Sequence, residues 1–119
     1  MTWFACSLAD LVLVNINPAY RADELLFTMN NVEMEALITA ESFKTSDYLQ
    51  IIESLCPELP KSAPGGLNSS KVPSLKHVIV MSDNDYKGCY KFDEIYNLNN
   101  REEYTRRSSL VDYRSACNI

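Results

Sequence analysis

Residues 12–26 read V-L-V-N-I-N-P-A-Y-R-A-D-E-L-L, and no other stretch of the chain restricts its fold as much. Val12, Val14 and Ile16 are β-branched within a nearly continuous apolar run, 11–16, the pattern of a strand covered on both faces. Pro18 cannot donate to a strand ladder and stops the run. Asp23 and Glu24 then place negative charge where a helix has its positive end, and Leu25, Leu26 and Met29 give that helix an apolar stripe. Asn30-Asn31 suits its carboxyl-terminal stop. A strand that turns sharply into an amphipathic helix commits the chain to an α/β class.

The alternation continues. A short strand is predicted over 36–39 and a helix over about 46–56, capped by Thr45 or Ser46. In that helix Tyr48, Leu49, Ile52, Leu55 and Cys56 recur at spacings of three and four, and Pro57 ends it. Residues 57–75 hold four of the five prolines and two of the three glycines, so they are read as a long surface loop, 57–76, within one fold. Residues 77–81 make a third strand, closed by Ser82-Asp83-Asn84-Asp85. Phe92, Ile95, Tyr96 and Leu98 suggest a short helix, and Asn100 a cap for another beginning at Arg101. The tail, 99–119, is weakly patterned, although Cys117-Asn118-Ile119 has the look of a strand beginning.

A chain of 119 residues, 46% hydrophobic, suffices for one modest core. Its net charge of −5 divides into −7 over residues 1–60 and +2 over 61–119, where the bases are scattered. Nucleic acid is not an expected partner, because phosphate binding needs a clustered positive face. Cys6, Cys56, Cys89 and Cys117 form no C-x-x-C pair, so zinc is not expected and the thiols are read as reduced packing residues. The apolar run 3–14 lacks a basic leader, contains Asp10 and is too short to span a bilayer. Asn68-Ser69-Ser70 matches a glycosylation triplet but carries little weight without export.

Groups that could do chemistry are few. The glycines stand at 65, 66 and 88, none within a phosphate-cradling loop. His77, the one histidine, is read as structural, with no nucleophile motif near it. Asp83-Asn84-Asp85 opens like a calcium loop, but Tyr86-Lys87 follows and the closing position is taken as Ile95, so calcium is not expected. Arg106-Arg107-Ser108-Ser109 offers two bases upstream of a serine, a run that also recurs by chance. The pairs Asp23-Glu24, Asp93-Glu94 and Glu102-Glu103 are adjacent on helices and do not converge as paired carboxylates. Tyr20 and Arg21 alone have a geometric argument, since they follow a strand at its carboxyl end, where open sheets bind ligands.

Five segments, in order, resemble one family: 11–25, A-L-I-T-A (36–40), F-K-T-S-D-Y (43–48), S-L-C-P-E-L (54–59) and P-G-G-L-N-S-S-K-V-P-S-L-K-H-V-I (64–79). They are similar to the amino-terminal region of fatty acyl-CoA synthetases of the adenylate-forming superfamily, and most of all to its medium-chain, mitochondrial branch. The resemblance covers residues 11 to about 98. It implies that the chain, 1–119, is a partial Rossmann-like subdomain of the AMP-binding large domain with an incomplete sheet; Asn17-Pro18 and Glu24-Leu25 match the family's strand end and helix. It also implies a reaction for the full-length enzyme: a fatty acid is activated with ATP and magnesium to an acyl-adenylate, and coenzyme A displaces AMP.

The family's residues for that reaction have no counterpart here. The phosphate loop, T-S-G-T-T-G-x-P-K-G, is missing, as are the aromatic-glycine-x-threonine-glutamate motif, the hinge aspartate and the carboxyl-terminal lysine, so this chain is expected to bind no cofactor and to be inactive. Residues 1–10 also depart from the alanine- and glycine-rich helix of the family. A compartment follows only from the resemblance, as mitochondrial, and is otherwise cytoplasmic. Three aliphatic strands with two firm helices should leave sheet face and edge bare, which predicts marginal folding and a docking edge for a non-enzymatic interaction module. A flavodoxin-like receiver is disfavoured, because no acidic phosphoacceptor cluster stands at the strand ends.

Overall fold

A computed structural model describes residues 2–119, and the chain divides into two compact units: Pro18–Leu98, and the segments up to Asn17 and from Asn99 to Ile119.

The Pro18–Leu98 unit is built on a parallel sheet of three strands in the order β1-β4-β5: β1 is Ala36–Ala40, β4 His77–Met81 and β5 Tyr90–Lys91. β1 and β4 pair from Ala36 opposite His77 to Ala40 opposite Met81. Two of the three predicted strands, those over 36–39 and 77–81, are present; β5, two residues long, carries too little pattern to be read from sequence. A hairpin of β2 (Ser42–Phe43) and β3 (Ser46–Asp47) follows β1, its turn held by Lys44 in the left-handed region at φ 54°.

Helix α2, Ala22–Asn31, runs where its charges and stripe place it. The Arg21 N–H donates to Glu24 Oε2 at 2.7 Å, closing its first turn, and Met29 is fully buried. Helix α3, Tyr48–Leu55, starts two residues later than expected. The short strand β3 occupies Ser46, so the cap is Asp47, whose Oδ1 accepts from Gln50 N at 2.9 Å, rather than Thr45 or Ser46. Leu49, Ile52 and Leu55 are buried along the predicted face, and α3 packs against α2.

The proline-rich connection from α3 to β4 departs from the expected surface excursion. It contains no strand and only a 3₁₀ turn at Leu59–Lys61, yet Leu59, Leu67, Val72 and Leu75 are among the most buried side chains of the protein. Its backbone is satisfied by turns and by borrowed partners. Asn30 Nδ2 of α2 donates to Lys71 O at 3.0 Å, Tyr90 Oη of β5 donates to Pro64 O at 3.1 Å, and Ser69 Oγ accepts from Val72 N at 3.2 Å. Composition correctly removed regular structure from this stretch; apolar side chains at irregular spacing still enter the core because turns and side-chain donors satisfy the buried peptide groups.

Sheet cover is one-sided. Leu37, Val78 and Val80 are buried on one face, while Ile38 and Ile79 on the other are half-exposed and Met81 is 50% exposed. The two-face cover expected of such aliphatic strands is therefore incomplete.

In the other unit, Thr2–Leu8 forms helix α1, which leaves Trp3, Phe4 and Leu8 exposed. Residues 11–16 do not form the predicted strand. Leu13 makes one isolated parallel bridge to Asn118, with Leu13 N donating to Cys117 O at 3.0 Å and Ile119 N donating to Leu13 O at 2.8 Å. A strand needs a neighbour to complete its ladder, and among the described residues this run pairs only with the short 117–119 stretch. Leu11 and Val12 stay exposed as a result.

Helix α4, Arg101–Ser108, is capped as expected by Asn100 Oδ1, which accepts from Glu103 N at 3.0 Å. It buries no side chain. Arg106 grips Glu103 with two bonds of 2.7 and 2.8 Å, and Arg107 adds a third at 2.8 Å. Arg106 first and then Arg107 hold the Glu103 carboxyl down to about 2, from a usual 4.5. Because the folded value is depressed, this contribution is present above pH 4.5 and is lost as pH falls toward 2. Carboxyl-detected NMR of the folded chain should place the Glu103 midpoint near 2; a midpoint near that of a free glutamate would show that the two guanidinium groups are not on it.

Candidate functional site

In open parallel sheets the carboxyl ends of the strands are where loops converge and ligands bind. Here that edge holds a polar cluster which the sequence reading did not single out. Glu41 follows β1 and Ser82 follows β4, and the β1–β4 register brings them side by side. Glu41 Oε2 accepts from Ser82 Oγ at 2.8 Å and from Asn84 Nδ2 at 3.5 Å, while Ser82 Oγ accepts from Asn84 N at 3.0 Å. Tyr86 also donates to Glu41. That bond, followed by the one from Ser82, holds the Glu41 carboxyl below its usual range, and the same contact raises the Tyr86 phenol.

Chemically, Glu41 is an acceptor already committed to its donors. A carboxylate held ionised by three neighbours is a poor proton carrier near neutral pH. The cluster fixes the 82–86 loop to the exit of β1 and presents no free acid, base or nucleophile.

Tyr20 and Arg21 lose the argument that singled them out, because the residues before them form no strand. Tyr20 lines an open depression of about 350 Å³ with Asp23, Glu24, Phe27 and Thr28. Arg21 is not among its lining residues and serves as the amino cap of α2. Two carboxylates on such a wall repel a triphosphate, so this depression is poorly suited to one.

The closing position of the calcium-like run is not Ile95. From Asp83, the sixth position is Gly88 and the twelfth is Glu94, so the spacing is that of a calcium loop after all. The geometry and Lys87 at the fifth position oppose it instead. Asp85 pairs with Lys91 Nζ at 2.9 Å, and Glu94 Oε2 accepts from Lys91 N at 3.2 Å, so the acids serve a lysine and a helix start. Among the described residues, no group of His, Cys, Asp and Glu side chains is arranged to hold a metal ion.

The remaining nucleophile and base candidates are the cysteines and His77. All four cysteines carry free thiols. Burial pushes Cys89 up to about 11, with the Glu53 charge adding to it, and burial also raises Cys56 and Cys6. His77 opens β4, its N–H bonded to Glu35 O and its ring stacked on Tyr90 with centroids 6.1 Å apart, a position in the fold rather than in a catalytic pair. No described helix is long and apolar enough to cross a membrane.

No family model matches the chain. Curated relatives do. The chain is 30% identical over 107 residues to the mitochondrial medium-chain acyl-CoA ligase of Danio rerio, which aligns 90% of this chain with 18% of that protein. Against the ligase of the same name from Pongo abelii it is 38% identical over 91 residues, 76% of this chain and 15% of the relative. A Bacillus subtilis protein, YngI, whose name assigns it provisionally to the acyl-CoA synthetases, is 35% identical over 91 residues, again 76% of this chain and 17% of that protein. The chain thus spans between 15% and 18% of the length of these relatives. Identity at this level, along three quarters or more of the chain and in proteins from fish, ape and bacterium, shows that it belongs to the acyl-CoA synthetase family.

Proposed function

We propose that this chain is the amino-terminal part of the AMP-binding domain of a fatty acyl-CoA synthetase, a Rossmann-like scaffold whose catalytic apparatus lies outside these residues. The observation that carries the reading is the asymmetry of the alignments, which cover nine tenths of this chain but less than a fifth of the zebrafish ligase. In the whole enzyme a fatty acid reacts with ATP to give an acyl-adenylate, and coenzyme A then takes the acyl group. The names of the relatives support medium chain length and a mitochondrial location for that whole enzyme.

The 119-residue chain holds neither ATP nor magnesium nor coenzyme A by itself. Its glycines supply no phosphate loop, its depression beside α2 is acidic, and Glu41 is engaged by Ser82, Asn84 and Tyr86. Without preorganised donors around the transferring charge there is no route to a measurable rate. Octanoate-dependent exchange of labelled pyrophosphate into ATP should stay at buffer background for the purified chain. Exchange above that level that requires the fatty acid would overturn the inactive reading.

A second reading is favoured by the outer edge of β1, with which no described strand pairs, and by the half-covered sheet face around Ile38 and Ile79. In it the chain is a non-enzymatic module that docks on a full-length synthetase through that edge. Retention of a purified full-length ligase on the immobilised chain, lost on adding prolines to β1, separates it from the first.

A further inference from the structure

The run Arg106-Arg107-Ser108-Ser109-Leu110 has no part in the proposed scaffold role, and its placement gives it one of its own. α4 ends at Ser108, and Ser109 is its exposed carboxyl cap, with Oγ donating to Arg106 O at 2.7 Å. Leu110 is 57% exposed, and the chain beyond it has no regular structure until the bridge at Asn118. The helix is eight residues long and buries none of them, so its last turn can open without disturbing a core. Both arginines bond to one acceptor, Glu103, and both stand in the last turn of the helix, two and three residues before Ser109.

We propose that Ser109 is a phosphoacceptor for a base-directed serine kinase, and that its phosphate takes Arg106 and Arg107 away from Glu103. In the transfer, Ser109 Oγ bonds to the γ-phosphorus of ATP as the bond from that phosphorus to the β-bridging oxygen breaks. ADP leaves, and the hydroxyl proton passes to the kinase's carboxylate base. The product carries close to two negative charges at the carboxyl end of α4, where the helix dipole is also negative. It has no proton left for Arg106 O. Guanidinium groups bind phosphate in a fork at least as well as carboxylate, so the arginines turn to the new group and the last turn of α4 loosens.

The test uses the purified 119-residue chain with the catalytic subunit of the cyclic-AMP-dependent kinase and labelled ATP. One phosphate per chain is expected, located at Ser109 by fragmentation mass spectrometry. Ser109→Ala should lower incorporation at least tenfold, Arg106→Ala with Arg107→Ala should do the same, and Ser108→Ala should leave it unchanged. Incorporation at Ser108, indifference to the arginine changes, or labelling only after denaturation in urea would each overturn the site. The switch has its own readout: on phosphorylation the Glu103 carboxyl midpoint should rise by at least one pH unit toward its usual value, and an unmoved midpoint would overturn the transfer of the arginines.

Discussion

Replacing Gly88 with alanine is expected to unfold the Pro18–Leu98 unit under conditions where the unchanged chain stays folded. Gly88 is buried with φ at 79°, a conformation that a residue with a Cβ adopts at a cost. The space is also taken: a Cβ built there collides with the carbonyl oxygen of Leu59 and comes within 2.9 Å of its carbonyl carbon. Those atoms are backbone, and Leu59 is itself 1% exposed, so neither partner can swing aside. Strain at a left-handed position and overpacking against an immobile neighbour each cost about 1–3 kcal/mol, which makes a loss of about 3 kcal/mol or more the expected result. That is a large share of the ~5–15 kcal/mol that holds an ordinary domain together. Urea denaturation followed by far-ultraviolet circular dichroism measures it. The midpoint should fall sharply or the transition vanish, whereas an unchanged midpoint would mean that the 82–89 loop does not lie on Leu59 as described.

How far the sequence disclosed this arrangement depends on the kind of signal each element leaves. β4 occupies the predicted residues because four consecutive apolar positions, Val78 to Met81, before a polar closure leave little choice. α2 and the cap of α4 are read correctly for the same reason: first-turn acids and an Asn cap act locally, within three or four residues. The 11–16 run fails because side-chain pattern reports what a strand needs and not whether a partner is at hand. Val12, Val14 and Ile16 demand cover and hydrogen bonds that Asn118 alone cannot give. The Glu41–Ser82 contact joins residues 41 positions apart, and nothing local marks it. A signal was there only in retrospect, since each partner is the first residue after the carboxyl end of a parallel strand. Tyr20 and Arg21 were chosen by that same rule, applied to a strand that does not form.

Leu67→Ala should cost the Pro18–Leu98 unit far more than a change at its neighbour Asn68, although both sit in a stretch whose composition reads as loop. Leu67 is 1% exposed and Asn68 is exposed, and the difference is one of side-chain direction within a single turn of chain. Truncating a buried leucine forfeits its transfer from water and leaves a cavity that the surrounding backbone closes only in part, about 2–5 kcal/mol. The collapse is restricted here, because the segment is pinned by Tyr90 on Pro64 and by Asn30 on Lys71, so a value in the upper half of that range is expected. Asn68→Ala, which removes neither a buried group nor a bond of the fold, should stay within about 0.5 kcal/mol. Urea midpoints for the two variants decide between the two descriptions of residues 57–76. Equal midpoints would make it the surface excursion its prolines suggest. A wide gap would make it the part of the core that lies between α3 and β4, and the reason that so short a helical complement can cover one face of the sheet.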